Sequence, residues 1–424
     1  MNMQKSSRRR HAVQRALALG GTAALLTGLA GCHDDNDYVV LPGPGYVSAY
    51  VPNSVAIADV NHDGTPDLLV ATTIDQGGNN PGIAAVYTGT SASPGTYQPG
   101  ATYAITGTDP SGIAALDLSG SGGIDLVVSN FGSGNASVFM HDPANAGKYL
   151  PATTLTTGGQ PNQVVSADIN ADGKPDLVFA DLSTSGNAIV MLQDAAHPGQ
   201  FLAPMALATG NITPSVAVGD LNGDGLPDIV AADYDMNGNN GQVTVFIQDA
   251  ANPGTFLAAL TFPAGAQPQA VRIADVDGDG RADLVIANRG PGTDGTGMAG
   301  VSVLLQDSAH PGSFLAPVTY STPRGAIDVA VADLNGDGKP DLAVASLGPA
   351  PTGAVSVLLQ SSTSPGTFGT ASSYPGFGQP LSVAIADLNG DGHPDIAVAD
   401  GYNATVMLQS TSSPGVFSNP APVN

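Results

Sequence analysis

The nine residues Asp333–Asp341, DLNGDGKPD, recur with variations seven times, the copies beginning at Asp59, Asp117, Asp168, Asp220, Asp275, Asp333 and Asp387. Successive copies are 58, 51, 52, 55, 58 and 54 residues apart in a chain of 424. A period near fifty belongs to blade-like units that stack on their neighbours, not to short coils. Within the motif, oxygen-bearing side chains stand at the first, third, fifth and ninth places, and glycine at the sixth. Calcium takes several hard oxygen ligands, and a loop that offers them at alternate positions must turn sharply, which glycine permits. The carbonyl of the seventh residue, Lys339 in this copy, is the expected backbone ligand.

The flanks repeat as well. A small apolar run such as Val329–Asp333 precedes each loop, and another, Asp341-Leu-Ala-Val-Ala345, follows it. A variable Gly-rich connection leads to a third run, Val355–Gln360, then to a turn ending in Pro365-Gly366 and a fourth run opening at Phe368. Each unit therefore reads as four short strands. The turn recurs as QDAAHPGQF, QDAANPGTF and QDSAHPGSF, from Gln193, Gln248 and Gln306. Pro then Gly suits the centre of a type II turn, so it closes a hairpin between the third and fourth strands. His197 and His310 share one slot in it and read as surface residues. The first two strands are nearly continuous in small apolar residues, which predicts burial on both faces; the third and fourth are expected to lie outside them. The fold class expected is all-β: a seven-bladed β-propeller of four-stranded antiparallel blades with calcium-binding loops.

Composition supports this reading, with 55 Gly, 33 Pro and few aromatic residues. No Glu occurs, and 21 of the 36 Asp lie in the seven loops, so the acidity belongs to the loops. A net charge of −24 excludes nucleic acid as a partner, since phosphate backbones demand Lys and Arg clusters.

The chain opens with a basic stretch, an apolar run from Ala16 to Ala30, and Leu29-Ala30-Gly31-Cys32. This run is too short to span a bilayer and ends in the small residues of a cleavage site. It resembles the lipobox of bacterial lipoproteins, which implies a signal peptide over 1–31 and a diacylglyceryl group on Cys32. Residues 32–45, with Asp34, Asp35, Asp37 and the run Leu41-Pro-Gly-Pro-Gly45, then form a flexible tether. Membrane contact is expected through the lipid alone, and the localisation is the bacterial cell envelope, at the outer membrane. Cys32 is the one cysteine, so no intrachain disulfide can form.

EF-hands close their loop with Glu at the twelfth place; here that place holds Val70, Val128, Phe179, Ala231, Ile286, Val344 and Val398. RTX units are too short. The combination VAVADLNGDGKPDLAVA resembles the FG-GAP/VCBS repeat family, whose relatives include the propeller of integrin α subunits, over residues 46–424. The resemblance implies Ca2+ at about six structural sites. The ligands it assigns are Asp59, Asn61, Asp63 and Asp67; Asp168, Asn170, Asp172 and Asp176; Asp220, Asn222, Asp224 and Asp228. They continue at Asp275, Asp277, Asp279 and Asp283; Asp333, Asn335, Asp337 and Asp341; Asp387, Asn389, Asp391 and Asp395. The second repeat, DLSGSGGID from Asp117, has Ser119 and Ser121 at two ligand places and is left out.

If calcium loops join the first and second strands at one rim, the variable loops between the second and third emerge at the other. Variable loops on a rigid frame are where recognition is found. Phe131, Tyr234, Asp235, Arg289, Arg324 and Tyr402 are the candidate ligand contacts there. The main expectation is an envelope-anchored binding or adhesion module for a protein or glycan rather than an enzyme, with no catalytic residues assigned. The alternatives are a secreted hydrolase or lyase on the rim opposite the calcium loops, where Asp181, Asp233 and Asp400 could converge, and a structural scaffold subunit.

Overall fold

The computed structural model describes residues 50–74, 80–234, 241–290, 299–322, 325–347 and 353–423. Its strands form seven four-stranded antiparallel sheets. The first comprises β1 (Tyr50–Ala58), β2 (Asp67–Ile74), β3 (Pro81–Gly89) and β4 (Tyr97–Thr108), hydrogen-bonded in chain order. The other six repeat this order in succession, so every blade is one contiguous stretch of chain. The acidic nonapeptide lies between the first and second strands each time.

Seven apolar clusters hold the ring, one in each seam between adjacent blades. Val230 and Val245 of the fourth blade meet Val271 and Ile286 of the fifth; Val55, Leu68 and Val70 of the first meet Ala397 and Val406 of the seventh. Edge-to-face ring pairs such as Tyr320 with Phe368 and Tyr374 with Phe417 cross the outer part of their seams. The aromatic residue that opens the fourth strand is thus a seam residue.

The seventh sheet ends in Ala421–Pro422, paired to Ala404–Met407. The C-terminal segment supplies the fourth strand of its own blade, and the N-terminal segment pairs as first strand of the first sheet. Among the described residues, closure therefore rests on side-chain packing between the first and seventh blades rather than on an exchanged strand.

The expected burial order needs correction. Second strands are buried throughout, but so are most third strands, for example Gly353–Leu358. First strands turn half-buried toward their loop ends, as in Ala326–Ala332. The innermost strand borders the axial channel, whereas the third is packed on both faces by neighbouring blades. The turn is borne out: Gln200 N–H donates to the His197 carbonyl at 3.0 Å across Pro198-Gly199, with Gly199 at φ +77°.

Candidate metal loops and axial cavity

In the loop Asp168–Asp176, the carboxylate of Asp168 accepts the N–H groups of Asp172 (3.0 Å) and Gly173 (2.8 Å). The Asn170 side-chain oxygen takes a second approach to Asp172 N–H at 3.0 Å, and Asp172 accepts from Lys174 N–H at 2.9 Å. The sixth glycine sits at φ +82°, open to L residues only with strain. The same pattern recurs in the loops from Asp59, Asp220, Asp275, Asp333 and Asp387.

The ninth carboxylate has a further part that its place in the motif does not reveal. Asp176 Oδ2 accepts Ile169 N–H at 2.8 Å, and Oδ1 accepts Gln193 N–H at 2.6 Å, where the third strand ends. Every blade repeats this pair of bonds, at Asp67, Asp125, Asp228, Asp283, Asp341 and Asp395. The residue tied in this way is Gln193, Gln248, Gln306, Gln360 or Gln409 in five blades. Its amide also donates to the carbonyl of the loop's eighth residue, as Gln409 does to Pro394 at 2.7 Å. The repeated QDxxxPG turn is therefore a buried staple on the loop as well as a hairpin.

Burial pushes the carboxyls of Asp67, Asp228, Asp283, Asp341 and Asp395 up to about 6, against the pull of their backbone donors. Asp275, Asp277 and Asp283 bring carboxylate oxygens within 4.8 Å of one another, a group that could hold a metal ion. The fifth loop has Asp at the third place, where five loops have Asn and the second has Ser.

The second loop is built otherwise. Ser119 Oγ lies 3.1 Å from Asp117 Oδ1 and 2.8 Å from Ser121 Oγ, and Ser121 Oγ lies 3.2 Å from His141 Nε2. His141 occupies the slot that Gln fills in five other blades.

At the other end of the first strands, an axial cavity of about 170 Å³ receives residues from all seven blades. Many of its polar groups bridge seams: Asn53 Nδ2 donates to the Pro110 carbonyl, Ser111 Oγ to Pro161 and Asn162 Nδ2 to Pro214. Arg272 Nη2 donates to Asp328 Oδ1 at 2.5 Å, and Asp328 Oδ2 accepts Val383 N–H at 3.0 Å. The guanidinium also reaches the Val271 carbonyl at 2.9 Å, and further N–H donors remain to it.

Of the predicted ligand contacts, Phe131 and Tyr234 are buried together with Leu182 and Ile212 in a cluster over blades two to four. Arg289 is buried beside Tyr234, and burial lowers the affinity of its guanidinium for a proton. Tyr402 is exposed in the seventh blade. Asp235, Arg324 and Cys32 lie outside the described residues. Asp181, Asp233 and Asp400 do not join into one site, because each is taken up within its own part of the rim. Asp181 accepts from Gln160 N–H, Ser183 and Asn187; Asp233 from Thr244 and Asn211; Asp400 from Tyr402 and Asn403 N–H. Sequence reasoning missed Arg272, Asp328 and His141. The first two sit in first strands that otherwise read as apolar, and a break in that pattern was the available signal.

The sequence matches the model of an FG-GAP-like repeat over residues 117–179, 168–231, 220–286, 275–344 and 343–398. No curated protein matches it. Among solved structures it is similar to a candidate 6-phosphogluconolactonase from Bacteroides uniformis, at 14% identity and a TM-score of 0.57, covering 84% of this chain and 96% of that one. It is also similar to Sqt1 from Chaetomium thermophilum, at 12% identity and a TM-score of 0.50, covering 88% and 87%. At such identities the likeness is one of fold. The expectation of a non-catalytic adhesion module is corrected on two findings: a propeller of this fold is described as a candidate lactonase, and the carboxylates of Asp275, Asp277 and Asp283 lie close enough together to hold a metal ion.

Proposed function

This chain belongs to the FG-GAP-like repeat family, and from that premise we propose an enzyme of the hydrolase or lyase class that takes a small polar substrate in its axial cavity. The observation that carries the reading is the guanidinium of Arg272, held by Asp328 in a cavity lined by every blade. A fixed, partly buried donor stabilises negative charge as it grows on a substrate oxygen. That charge grows in the tetrahedral intermediate of ester or lactone hydrolysis, with water as nucleophile, and in the enolate of an elimination. The likeness to a candidate lactonase favours the first. Ser54, Ser382 and Gln269 line the same cavity and can bind hydroxyl groups.

The frame is held by calcium in this proposal. The fit rests on oxygen donors at alternate places around a glycine turn in six loops, from Asp59, Asp168, Asp220, Asp275, Asp333 and Asp387. When bound, the ion would neutralise carboxylates that otherwise repel one another and are partly desolvated. The same proposal places the protein on the cell envelope through a lipid at Cys32.

The test is turnover of a panel of neutral sugar lactones and esters by the mature protein and by Arg272→Gln. Loss of one fixed donor should lower kcat/KM by about 100-fold or more, with the melting temperature followed as a control for the seam it bridges. Absence of turnover in the wild type, or equal turnover in the variant, would overturn the reading.

A further inference from the structure

A reactive constellation lies at the opposite end of the molecule, in the one loop that departs from the metal-binding pattern. Four of its differences from the other copies act together. Serines replace the third and fifth ligands, as Ser119 and Ser121; glycine, Gly123, takes the seventh place; and His141 replaces the Gln that five other blades staple to the loop. The result is a chain of contacts from an exposed hydroxyl to a buried carboxylate. Ser121 Oγ is 3.2 Å from His141 Nε2, and His141 Nδ1 is 2.8 Å from Asp125 Oδ1. The His141 side chain is 22% exposed and Asp125 not at all.

The direction of these bonds follows from the network. Asp125 accepts N–H groups from Leu118 (2.9 Å), Ser119 (3.3 Å) and His141 (2.7 Å). Surrounded by donors, it serves as an acceptor, so Nδ1 of His141 carries the hydrogen and Nε2 offers its lone pair to the Ser121 hydroxyl. Gly123 makes the arrangement possible. A Cβ there would stand 2.3 Å from His141 Cδ2, so any side chain at the seventh place, such as the Lys174 or Leu226 of other loops, would exclude the imidazole.

We propose that this loop has exchanged a metal site for a nucleophilic one, with Ser121 as nucleophile, His141 as general base and Asp125 as the residue that orients the imidazole. The roles are those that geometry requires of an activated hydroxyl: a base within reach of it, and a third group fixing the base. In the reaction, Ser121 Oγ bonds to the carbonyl carbon of an ester as its proton passes to His141 Nε2. The tetrahedral intermediate then expels the alcohol, which takes that proton. Water attacks the resulting acyl-serine through the same base, releasing the acid and restoring Ser121.

The surroundings restrict the substrate. Ser121 and Gly122 N–H groups are both directed at Asp117, at 3.1 and 2.6 Å, and Ser119 N–H at Asp125. These three backbone N–H groups are thus turned away from an incoming oxyanion, so the acyl donor must carry a good leaving group, as aryl esters and thioesters do. Asp117 beside the serine, and the acidic loops of the adjoining blades, disfavour anionic acyl donors. Neutral activated esters are the class expected. This inference goes beyond the axial cavity and does not depend on it.

The experiment uses the mature protein with a neutral fluorophosphonate, the adduct being located by peptide mass spectrometry, and p-nitrophenyl acetate for the rate. His141→Gln installs the side chain that five sibling blades carry, and Ser121→Ala removes only the hydroxyl. The expected result is a phosphonyl adduct on Ser121 that is lost in His141→Gln, and a p-nitrophenyl acetate rate at least about 100-fold lower in both variants. Melting curves show whether each variant is folded; should His141→Gln not fold, Ser121→Ala decides through the ester rate. An unlabelled Ser121 in the wild type, equal labelling in folded His141→Gln, or an ester rate unchanged in Ser121→Ala would overturn the proposal and leave the hydroxyls and imidazole as a metal-free fastener only. Lactone turnover is measured separately, so failure of one reading leaves the other standing.

Discussion

The two rims of this propeller are built on opposite plans. At the loop rim one solution is repeated in every blade, a ninth-place Asp whose two oxygens bind the loop at one end and the exit of the third strand at the other. At the other rim each blade has its own: Asp181 caps a serine turn, Asp233 is buried against Thr244 and Asn211, and Asp400 closes the short turn to Asn403. Repetition marks what each blade needs in order to stand. Variation marks places where the blade stands without it, and there other demands can be met. The second loop matters for that reason: it retains the fastening Asp125 while carrying serines, Ser119 and Ser121, at two of the candidate ligand places.

The largest expected effect tests whether the ninth Asp is structural apart from any metal. Asp341→Ala strands the buried N–H groups of Leu334 and Gln360 and should cost about 3–5 kcal/mol in chelator, measured by denaturant unfolding. A loss seen only with calcium present would make the residue a ligand and nothing more.

The second effect is one of pH. Because burial raises the carboxyls of Asp67, Asp228, Asp283, Asp341 and Asp395 to about 6, the folded metal-free protein binds protons that the unfolded chain has already released. Stability of the chelated protein should therefore fall as pH rises from about 4 to above 6, and level off beyond. Saturating calcium should flatten or reverse that slope, since the ion favours the ionised form. A slope indifferent to calcium would separate these carboxylates from the metal.

At the other rim, burial likewise raises Asp233 to about 6, against its bonds from Thr244 and Asn211. Asp233→Asn should remove one such titration from the same pH window and leave the loop-rim response to calcium intact. The smallest effect is local. Ala171 holds φ +58° at the fourth loop place, where five sibling loops have glycine. Ala171→Gly should stabilise the protein by up to about 1 kcal/mol, and a loss would show that this loop has relaxed differently from the others.

Much of this was legible in the residues. The period and the acidic nonapeptide announced seven units, and Pro198-Gly199 announced its turn. The relative burial of first and third strands was not legible, because Val355–Leu358 and Val329–Ala332 are similar runs; what differs is that one faces two blades and the other borders a channel. Arg272 and Asp328 were passed over for a related reason. They lie in neighbouring blades, 56 residues apart, and only the closed ring brings them together.

The acidic nonapeptide itself shows where the division falls. Its turn, its alternating oxygens and its glycine are local properties, set by dihedral preferences and by spacing within nine residues, and the sequence alone determined them. The pairing of the loop with its blade is not local. Whether the second copy is a spoiled metal site or a serine, histidine and aspartate in line depends on His141, 20 residues beyond Ser121. The register of the second and third strands delivers that imidazole to the loop, and only the tertiary structure could decide it.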